Sequence, residues 1–268
     1  METVFWAQLL SFAILLVLSS FSLKFYLPRF KKHFYGENVW KPQPVTKWDL
    51  YFAGILVLYA SANIVALFQA PPEEPPVIEI STFQTSALIM FLLIGGIFAI
   101  LKTSHRSPIE FFGLELRRMI PLTPNAFFCL LAAYPLILLA FNLLTFFLDT
   151  NPEENAQPII QFFLNTDDWA ARAWVVISAV IIAPLAEEII FRGYLFNITK
   201  NFIGATGAMF FTSVLFALIH AHAMSLIPLL LLSLCLTIAY QSTRSLWTPI
   251  LIHGMFNSTT ILLLASGV

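Results

Sequence analysis

VVISAVIIAPLAEEIIFRGYLF, residues 175–196, is an apolar stretch that carries Glu187, Glu188 and Arg192 within six positions. About 20 apolar residues are enough to cross a bilayer as a helix. A charged side chain near the centre of a bilayer costs a few kcal/mol, and such residues usually belong to functional sites. The stretch therefore predicts a membrane-spanning helix with a functional site inside it.

The composition of the whole chain agrees with a membrane protein. Of the 268 residues, 59% are hydrophobic and only 11% are charged, whereas a soluble domain carries about 25% charged residues. The net charge of −1 gives no reason to expect a nucleic acid as a partner. Cys129 and Cys235 lie far apart in apolar segments, which predicts core residues rather than a disulfide or a zinc motif.

Eight segments are apolar and long enough to span a membrane, so we predict an all-α fold, a polytopic membrane helix bundle of about eight transmembrane helices. The first segment lacks a basic start and a small-residue cleavage site, which favours a span over a signal peptide. The predicted spans are roughly 4–23, 49–69, 84–101, 124–148, 173–198, 206–226, 226–243 and 247–266.

The distribution of basic residues predicts the orientation. Residues 24–47 and 102–118 are rich in Lys and Arg, whereas the alternate loops are acidic, which places the two basic loops in the cytoplasm. We therefore expect a multi-pass protein of the cell membrane with both termini outside the cytoplasm. The second basic loop mixes aromatic residues with arginines, which predicts a short helix lying in the membrane interface. We divide the chain into an N-terminal three-span region, 1–122, and a core, 123–268.

Helix geometry separates the two glutamates. Glu188 and Arg192 are four residues apart, so they share a helix face and can pair. Glu187 then points about 100° away from that pair. A turn predicted near residues 203–204 brings Glu187 opposite His220, each roughly 16 residues from the turn. We expect these two side chains to lie within the reach of one bridging water, about 6 Å.

His253 and Asn257 are also four residues apart, and a turn near residues 244–245 places them at a similar depth. The assembled set suits hydrolysis by an activated water. A buried carboxylate is a suitable general base, and an imidazole can share the water or move its proton. A second imidazole and a carboxamide can donate hydrogen bonds to an oxyanion. Because no serine or cysteine is paired with a base, a covalent nucleophile is not favoured.

Three short motifs carry a family resemblance. Glu187-Glu188-Ile-Ile-Phe-Arg192 resembles the EExxxR motif of the CPBP family, the CAAX-protease and bacteriocin-processing (Abi-type) membrane enzymes. Phe216-Ala-Leu-Ile-His220 resembles its FxxxH motif, and His253-Gly-Met-Phe-Asn257 its HxxxN motif. The three occur in the family's order on three hydrophobic segments within residues 170–265.

The resemblance implies an intramembrane endopeptidase of the glutamate-dependent type. By motif position, Glu187 and His220 would activate the attacking water, and His253 and Asn257 would form the oxyanion site. Glu188 and Arg192 would be supporting residues.

The same resemblance leaves the use of a metal open, because the family was long described as metalloproteases. Glu187, His220 and His253 are residue types that bind zinc. No HExxH motif is present, however, and His222 lies two residues from His220, on nearly the opposite side of a regular helix. We therefore expect no cofactor, with zinc as the alternative.

Two other functions fit parts of the pattern. Buried Glu, Arg and His residues also build the proton relays of membrane transporters, although the sequence shows no inverted repeat. A non-catalytic, immunity-type membrane protein is the other alternative. For a peptidase, the partners besides the lipid bilayer are peptides or membrane proteins, with prenylated CAAX peptides as the eukaryotic use that the resemblance implies.

Overall fold

The computed structural model describes residues 2–35, 44–66, 79–148 and 158–265. Within these ranges the chain is helical, with no strand. The helices are α1 Glu2–Phe34, α2 Lys47–Ala66, α3 Ile80–Thr103, α4 Pro108–Phe112, α5 Leu116–Leu148, α6 Pro158–Asn165, α7 Trp169–Ile177, α8 Ala183–Glu188, α9 Phe196–Ile219, α10 Leu226–Thr243 and α11 Trp247–Ala265. Two π-helical segments, Ser178–Ile182 and Ile189–Leu195, precede and follow α8.

The predicted all-α membrane helix bundle is confirmed. Five helical stretches within the described residues are long and apolar enough to cross a membrane. One of them, Trp169–Ile219, has 51 residues and covers the predicted span 173–198 and most of the span 206–226. The predicted spans 49–69 and 247–266 are not among the five, although both are helical where the structure describes them. The predicted span 206–226 leaves the helix at residues 220–222. The acidic loop residues Glu73, Glu74, Asp149, Glu153 and Glu154 lie outside the described residues.

Two turns set the course of the C-terminal helices. Gly204 interrupts α9 with a φ of 72° and a ψ of 168°, at the position where the sequence predicts a turn. Arg244 ends α10 in the left-handed region with a φ of 53°. The amide of Arg244 donates to the carbonyl of Tyr240, which closes the last turn of α10. Together with the turn at residues 220–225 between α9 and α10, the two turns let the chain reverse three times within about 40 residues and bring four helical segments side by side.

The segment predicted to lie in the membrane interface forms the short helix α4, on which Phe111 and Phe112 are buried. The amide of Leu246 donates to the carbonyl of Phe112 at 3.0 Å, and the hydroxyl of Ser245 donates to the carbonyl of Gly113 at 2.5 Å. These contacts join the end of α4 to the turn between α10 and α11, and its interfacial location stays a prediction.

The first π segment follows from a proline. Pro184 has no amide hydrogen, so it cannot donate to the carbonyls four or five residues before it, at Val180 and Ala179. The amide of Ala183 donates to the carbonyl of Ser178, five residues back, which leaves Ala179 without that donor. This irregular backbone is buried against α11, where a non-helical hydrogen-bond pattern within a membrane is tolerated.

Gly254 on α11 packs directly against this backbone. A Cβ atom at Gly254 would lie 2.7 Å from the carbonyl oxygen of Val180. A side chain of any size would therefore push α11 away from the π segment. The glycine of the HxxxN-like motif thus allows close helix approach.

We predict that Gly254→Ala lowers the thermal stability of the protein in detergent. The added methyl overpacks a backbone contact, a change that typically costs about 1–3 kcal/mol. The measurement is the melting temperature followed by a thermal-shift assay.

The matched control is Gly95→Ala on α3, because a Cβ atom there has nothing within 4 Å. This substitution should leave the melting temperature unchanged or raise it, since alanine favours helices over glycine. Equal effects of the two substitutions would contradict the packing argument.

Candidate active site

A buried ion pair forms the base of the site. Arg192 Nη1 lies 2.8 Å from Glu188 Oε1, with the two side chains 1% and 0% exposed. Arg192 Nη2 also donates to the hydroxyl of Ser233 on α10 at 2.6 Å and to its carbonyl at 3.3 Å. The pair predicted from the four-residue spacing is therefore present, and it ties the second π segment to α10.

His253 is attached to the same carboxylate. Its Nδ1 lies 2.9 Å from Glu188 Oε1, so Glu188 contacts both the arginine and the imidazole. An ionised carboxylate accepts hydrogen bonds only, so Nδ1 of His253 carries a hydrogen. This contact sets the ring orientation and leaves Nε2 pointing towards Glu187. The orienting role of Glu188 on His253 is not apparent from sequence spacing.

Glu187 lies between the two histidines. Its Oε2 atom is 3.9 Å from Nε2 of His220 and 3.9 Å from Nε2 of His253. The side chain is buried, and its Oε2 atom makes no hydrogen bond with any residue that the structure describes. A gap of 3.9 Å is too long for a direct hydrogen bond but within the span of two bonds through one water. The three polar atoms therefore surround a position suited to a water molecule.

The tautomer of His220 is determined by a backbone contact. Its Nδ1 lies 2.7 Å from the carbonyl oxygen of Phe216, one helical turn earlier. A carbonyl accepts only, so Nδ1 carries the hydrogen, and Nε2 of the neutral ring is an acceptor. Nε2 of His220 and Oε2 of Glu187 can then accept the two hydrogens of one water.

Phe216 forms an aromatic wall that joins these groups. The guanidinium of Arg192 lies 4.4 Å from the centre of its ring, a cation–π contact. Its ring also meets those of His220 and His253, at centroid distances of 4.8 Å and 5.7 Å. The phenylalanine thus packs against the guanidinium and both imidazole rings.

Asn257 contacts backbone rather than the carboxylate. Its Nδ2 donates to the carbonyl of Ala179 at 2.7 Å, the carbonyl deprived of its helical donor next to Pro184. The side chain therefore clamps α11 to the first π segment. The side-chain nitrogen of Asn257 has a second hydrogen. That this hydrogen donates to an oxyanion stays a prediction.

His222 stands apart from this cluster. The helix α9 ends at Ile219, and Ala221 takes a left-handed φ of 49°, so His222 is not on the helix that carries His220. Its Nδ1 lies 2.8 Å from the hydroxyl of Ser225. The sequence argument that His220 and His222 do not chelate together assumed a regular helix, whereas the structure separates them by a turn.

The zinc alternative can be compared with these distances. Four-coordinate zinc holds its ligand atoms at about 2.0–2.1 Å, which places neighbouring ligands about 3.3 Å apart. The Glu187–His220 and Glu187–His253 distances are both 3.9 Å. Among the described residues, no group of three His, Cys, Asp or Glu side chains has the geometry to hold a metal ion. Both distances exceed this spacing, and the expectation that no metal is bound stays a prediction.

Sequence reasoning missed two parts of the site. Ser233 lies in a long apolar helix without a distinguishing motif, so its contact with Arg192 appears only in three dimensions. The π segments were also not predicted, although Pro184 within the span was a signal for an irregular helix.

The fold and the cluster define a class, the polytopic α-helical membrane proteins with an ionisable site inside the bundle. Comparison with known proteins adds a family match. Residues 169–259 match the family described as type II CAAX prenyl endopeptidase Rce1-like. This part of the chain is therefore similar to the Rce1-like family, which agrees with the CPBP-type resemblance of the three motifs.

Two curated bacterial proteins are similar to the chain. One is "Putative membrane peptidase YdiL" of Bacillus subtilis, 28% identical over 110 residues, which cover 41% of this chain and 43% of the relative. The other is "UPF0177 protein YxdF" of Lactococcus lactis, 36% identical over 78 residues, or 29% of this chain and 42% of the relative. The chain spans less than half of the length of each relative. No solved structure matches it significantly.

We predict that Glu188→Gln destabilises the protein far more than Glu187→Gln. Removing Glu188 leaves Arg192 as an uncompensated buried charge, which typically costs about 3–5 kcal/mol. Glu187 Oε2 makes no direct hydrogen bond with a described residue, so replacing this carboxylate removes little that holds the fold together. The melting temperatures of the two purified variants measure the difference. Similar melting temperatures would contradict the division of roles between the two glutamates.

Proposed function

We propose that this chain is an intramembrane endopeptidase that hydrolyses peptide bonds at or within the bilayer, using a water activated by Glu187 and His220. The observation that carries the proposal is the position of Glu187 Oε2, 3.9 Å from Nε2 of both His220 and His253. The Rce1-like match supports it, because that family is described as prenyl endopeptidases. The relative named as a membrane peptidase adds further support.

A count of charges indicates the resting state. Glu187 and Glu188 contribute two negative charges and Arg192 one positive charge, so one additional proton makes the buried cluster neutral. Neutrality is strongly favoured where water is excluded. His253 contacts Glu188 directly and faces Glu187, so it is the best place for that proton. The contact of His220 Nδ1 with the carbonyl of Phe216 leaves Nε2 of its neutral form as an acceptor.

The reaction then uses each group once. Glu187 and Nε2 of His220 accept the hydrogens of the water, and the water oxygen attacks the carbonyl carbon of the peptide bond. Nε2–H of the His253 imidazolium donates to the oxyanion that forms, with the second hydrogen of Asn257 as a further donor. The proton taken from the water passes to the leaving nitrogen as the C–N bond breaks. The other water proton stays on the new carboxyl group, so the products are a carboxylic acid and an amine, which exchange protons with solvent after release.

In this proposal the chain supplies all catalytic groups and holds no metal. Glu188 orients His253 and stabilises its charged form, as a carboxylate does for a catalytic imidazole in other hydrolases. Arg192 balances the charge of Glu188.

The substrate is a peptide or a membrane protein whose scissile bond reaches the bundle interior. The location we propose is a bacterial cell membrane, because both relatives are bacterial. Peptide pheromones, bacteriocins and prenylated peptides are the substrate classes to test first.

We predict that Glu187→Gln abolishes cleavage while the protein still folds. Loss of a general base lowers the turnover rate by about 10²–10⁴-fold, and Gln cannot take a proton from water. The measurement is cleavage of a peptide library by the purified protein in proteoliposomes. Glu110→Gln is the matched control, because Glu110 is exposed on α4 and lies outside the cluster. Unchanged cleavage by Glu187→Gln would refute the mechanism. If the wild type cleaves no member of any substrate class, the proposed function is refuted.

We also predict that cleavage survives exhaustive chelation. The protein is treated with a strong zinc chelator, dialysed, and assayed with and without added zinc. The expected result is the same rate in all samples and far less zinc by elemental analysis than the amount of about one per protein that a structural or catalytic site would hold. Loss of cleavage that zinc restores would show that the reaction depends on the metal.

A further inference from the structure

The N-terminal region contributes a fully buried carboxylate, Asp49, at the start of α2. Thr46 and Asp49 form a reciprocal cap. The amide and the hydroxyl of Thr46 each donate to Asp49 Oδ2 at 2.8 Å, and the amide of Asp49 donates to the Thr46 hydroxyl at 3.3 Å. Arg106, in the loop after α3, places Nη2 at 2.8 Å and 2.7 Å from the two carboxylate oxygens. The side chain of Asp49 is 0% exposed, so the arginine balances a charge that has no access to solvent.

Arg106 is itself held in place. Its Nη1 donates to the carbonyl of Pro44 at 3.1 Å, and its backbone amide donates to the carbonyl of Leu101 at 2.8 Å. Its guanidinium lies 5.4 Å from the centre of the Phe111 ring. The Asp49–Arg106 pair is therefore a rigid point that joins α2 to the end of α3.

This rigid point contacts the helix that carries the candidate site. The hydroxyl of Tyr194 donates to Asp49 Oδ1 at 3.1 Å. Tyr194 is completely buried, and its ring packs edge-on against Phe52 of α2 at a centroid distance of 6.0 Å. It lies in the second π segment, two residues after Arg192.

Arg192 and Tyr194 hold this segment from different sides. Residues two apart on a helix point in nearly opposite directions. Arg192 extends to Ser233 on α10, whereas Tyr194 extends to Asp49 on α2. Two contacts in opposite directions determine how the π segment is rotated about its own axis. That rotation sets where Arg192 meets Glu188, and Glu188 in turn orients His253.

We propose that Asp49, Arg106 and Tyr194 are positioning residues for the candidate site, through which the N-terminal three-span region controls the orientation of Arg192, Glu188 and His253. Asp49 and Arg106 lie outside the Rce1-like residues 169–259, so the family match does not assign them a role. The inference rests on the proposed peptidase function for its kinetic consequence. Its structural consequence can be measured independently of activity.

The test is Tyr194→Phe, which removes the hydroxyl and keeps the ring that packs on Phe52. The matched control is Tyr26→Phe. Tyr26 is also buried, and its hydroxyl donates to the carbonyl of Cys129 at 2.6 Å, joining α1 to α5 rather than to the second π segment. Each variant loses one hydrogen bond of a buried tyrosine, so a purely structural effect should be similar in both.

We predict that Tyr194→Phe lowers kcat about tenfold with KM unchanged, because small misplacements of catalytic groups reduce the rate strongly. Tyr26→Phe should keep the wild-type kcat. Hydrogen–deuterium exchange of residues 189–196, measured in nanodiscs, should be faster in Tyr194→Phe than in wild type and in Tyr26→Phe. If Tyr194→Phe does not fold, Arg106→Lys is tested in its place. Lysine keeps the positive charge but lacks the forked guanidinium with which arginine reaches several acceptors at once.

The outcomes separate the two proposals. Faster exchange together with a lower kcat supports the positioning role. Faster exchange with a wild-type kcat, or exchange and kcat that match Tyr26→Phe, overturns it. If the wild type cleaves no peptide, the proposed function fails. The exchange measurement then decides by itself whether the network holds the π segment, and unchanged exchange overturns the inference.

Discussion

The candidate site is organised around the buried ion pair between Glu188 and Arg192. Within a membrane, a lone charge at this depth would be strongly unfavourable, so each partner depends on the other. The same two side chains also contact Ser233 on α10 and His253 on α11, and Arg192 lies over the ring of Phe216 on α9. One pair thereby joins every helix that carries a motif residue. Because Glu188 is occupied in this way, Glu187 is left to face the two histidines.

The irregular helix geometry around the two glutamates also determines how α11 packs against this part of the chain. Pro184 deprives the carbonyls before it of a donor, and Asn257 supplies a replacement at Ala179. Gly254 allows α11 to approach the same backbone closely. Irregular backbone in a membrane is stable only when it is buried and its polar groups are satisfied. The HxxxN-like motif therefore serves the fold as well as the proposed chemistry, since its histidine and its asparagine hold α11 at two points along the glutamate-bearing helix.

The N-terminal helices join this arrangement through Asp49 and Arg106. They lie outside the Rce1-like residues, yet they contact the second π segment through Tyr194. In the proposed endopeptidase they would act on the reaction indirectly, by limiting the movement of the segment that carries Arg192. The candidate site would then be a property of the whole bundle rather than of the three motif-bearing segments, because opposing contacts on α2 and α10 are needed to orient one helix between them.

The sequence by itself determined the all-α membrane class, the Glu188–Arg192 pair and the convergence of Glu187 with His220. Hydrophobic length, the four-residue spacing and the position of the turns near Gly204 and Arg244 are local or nearly local properties, so they can be read along the chain. Only the tertiary structure decided that His253 binds Glu188, that Asn257 clamps the carbonyl of Ala179, and that Tyr194 meets Asp49. These contacts depend on the rotation of each helix about its axis and on irregular turns at Pro184. Such rotations are set by packing between distant segments, which the order of residues in one helix does not specify.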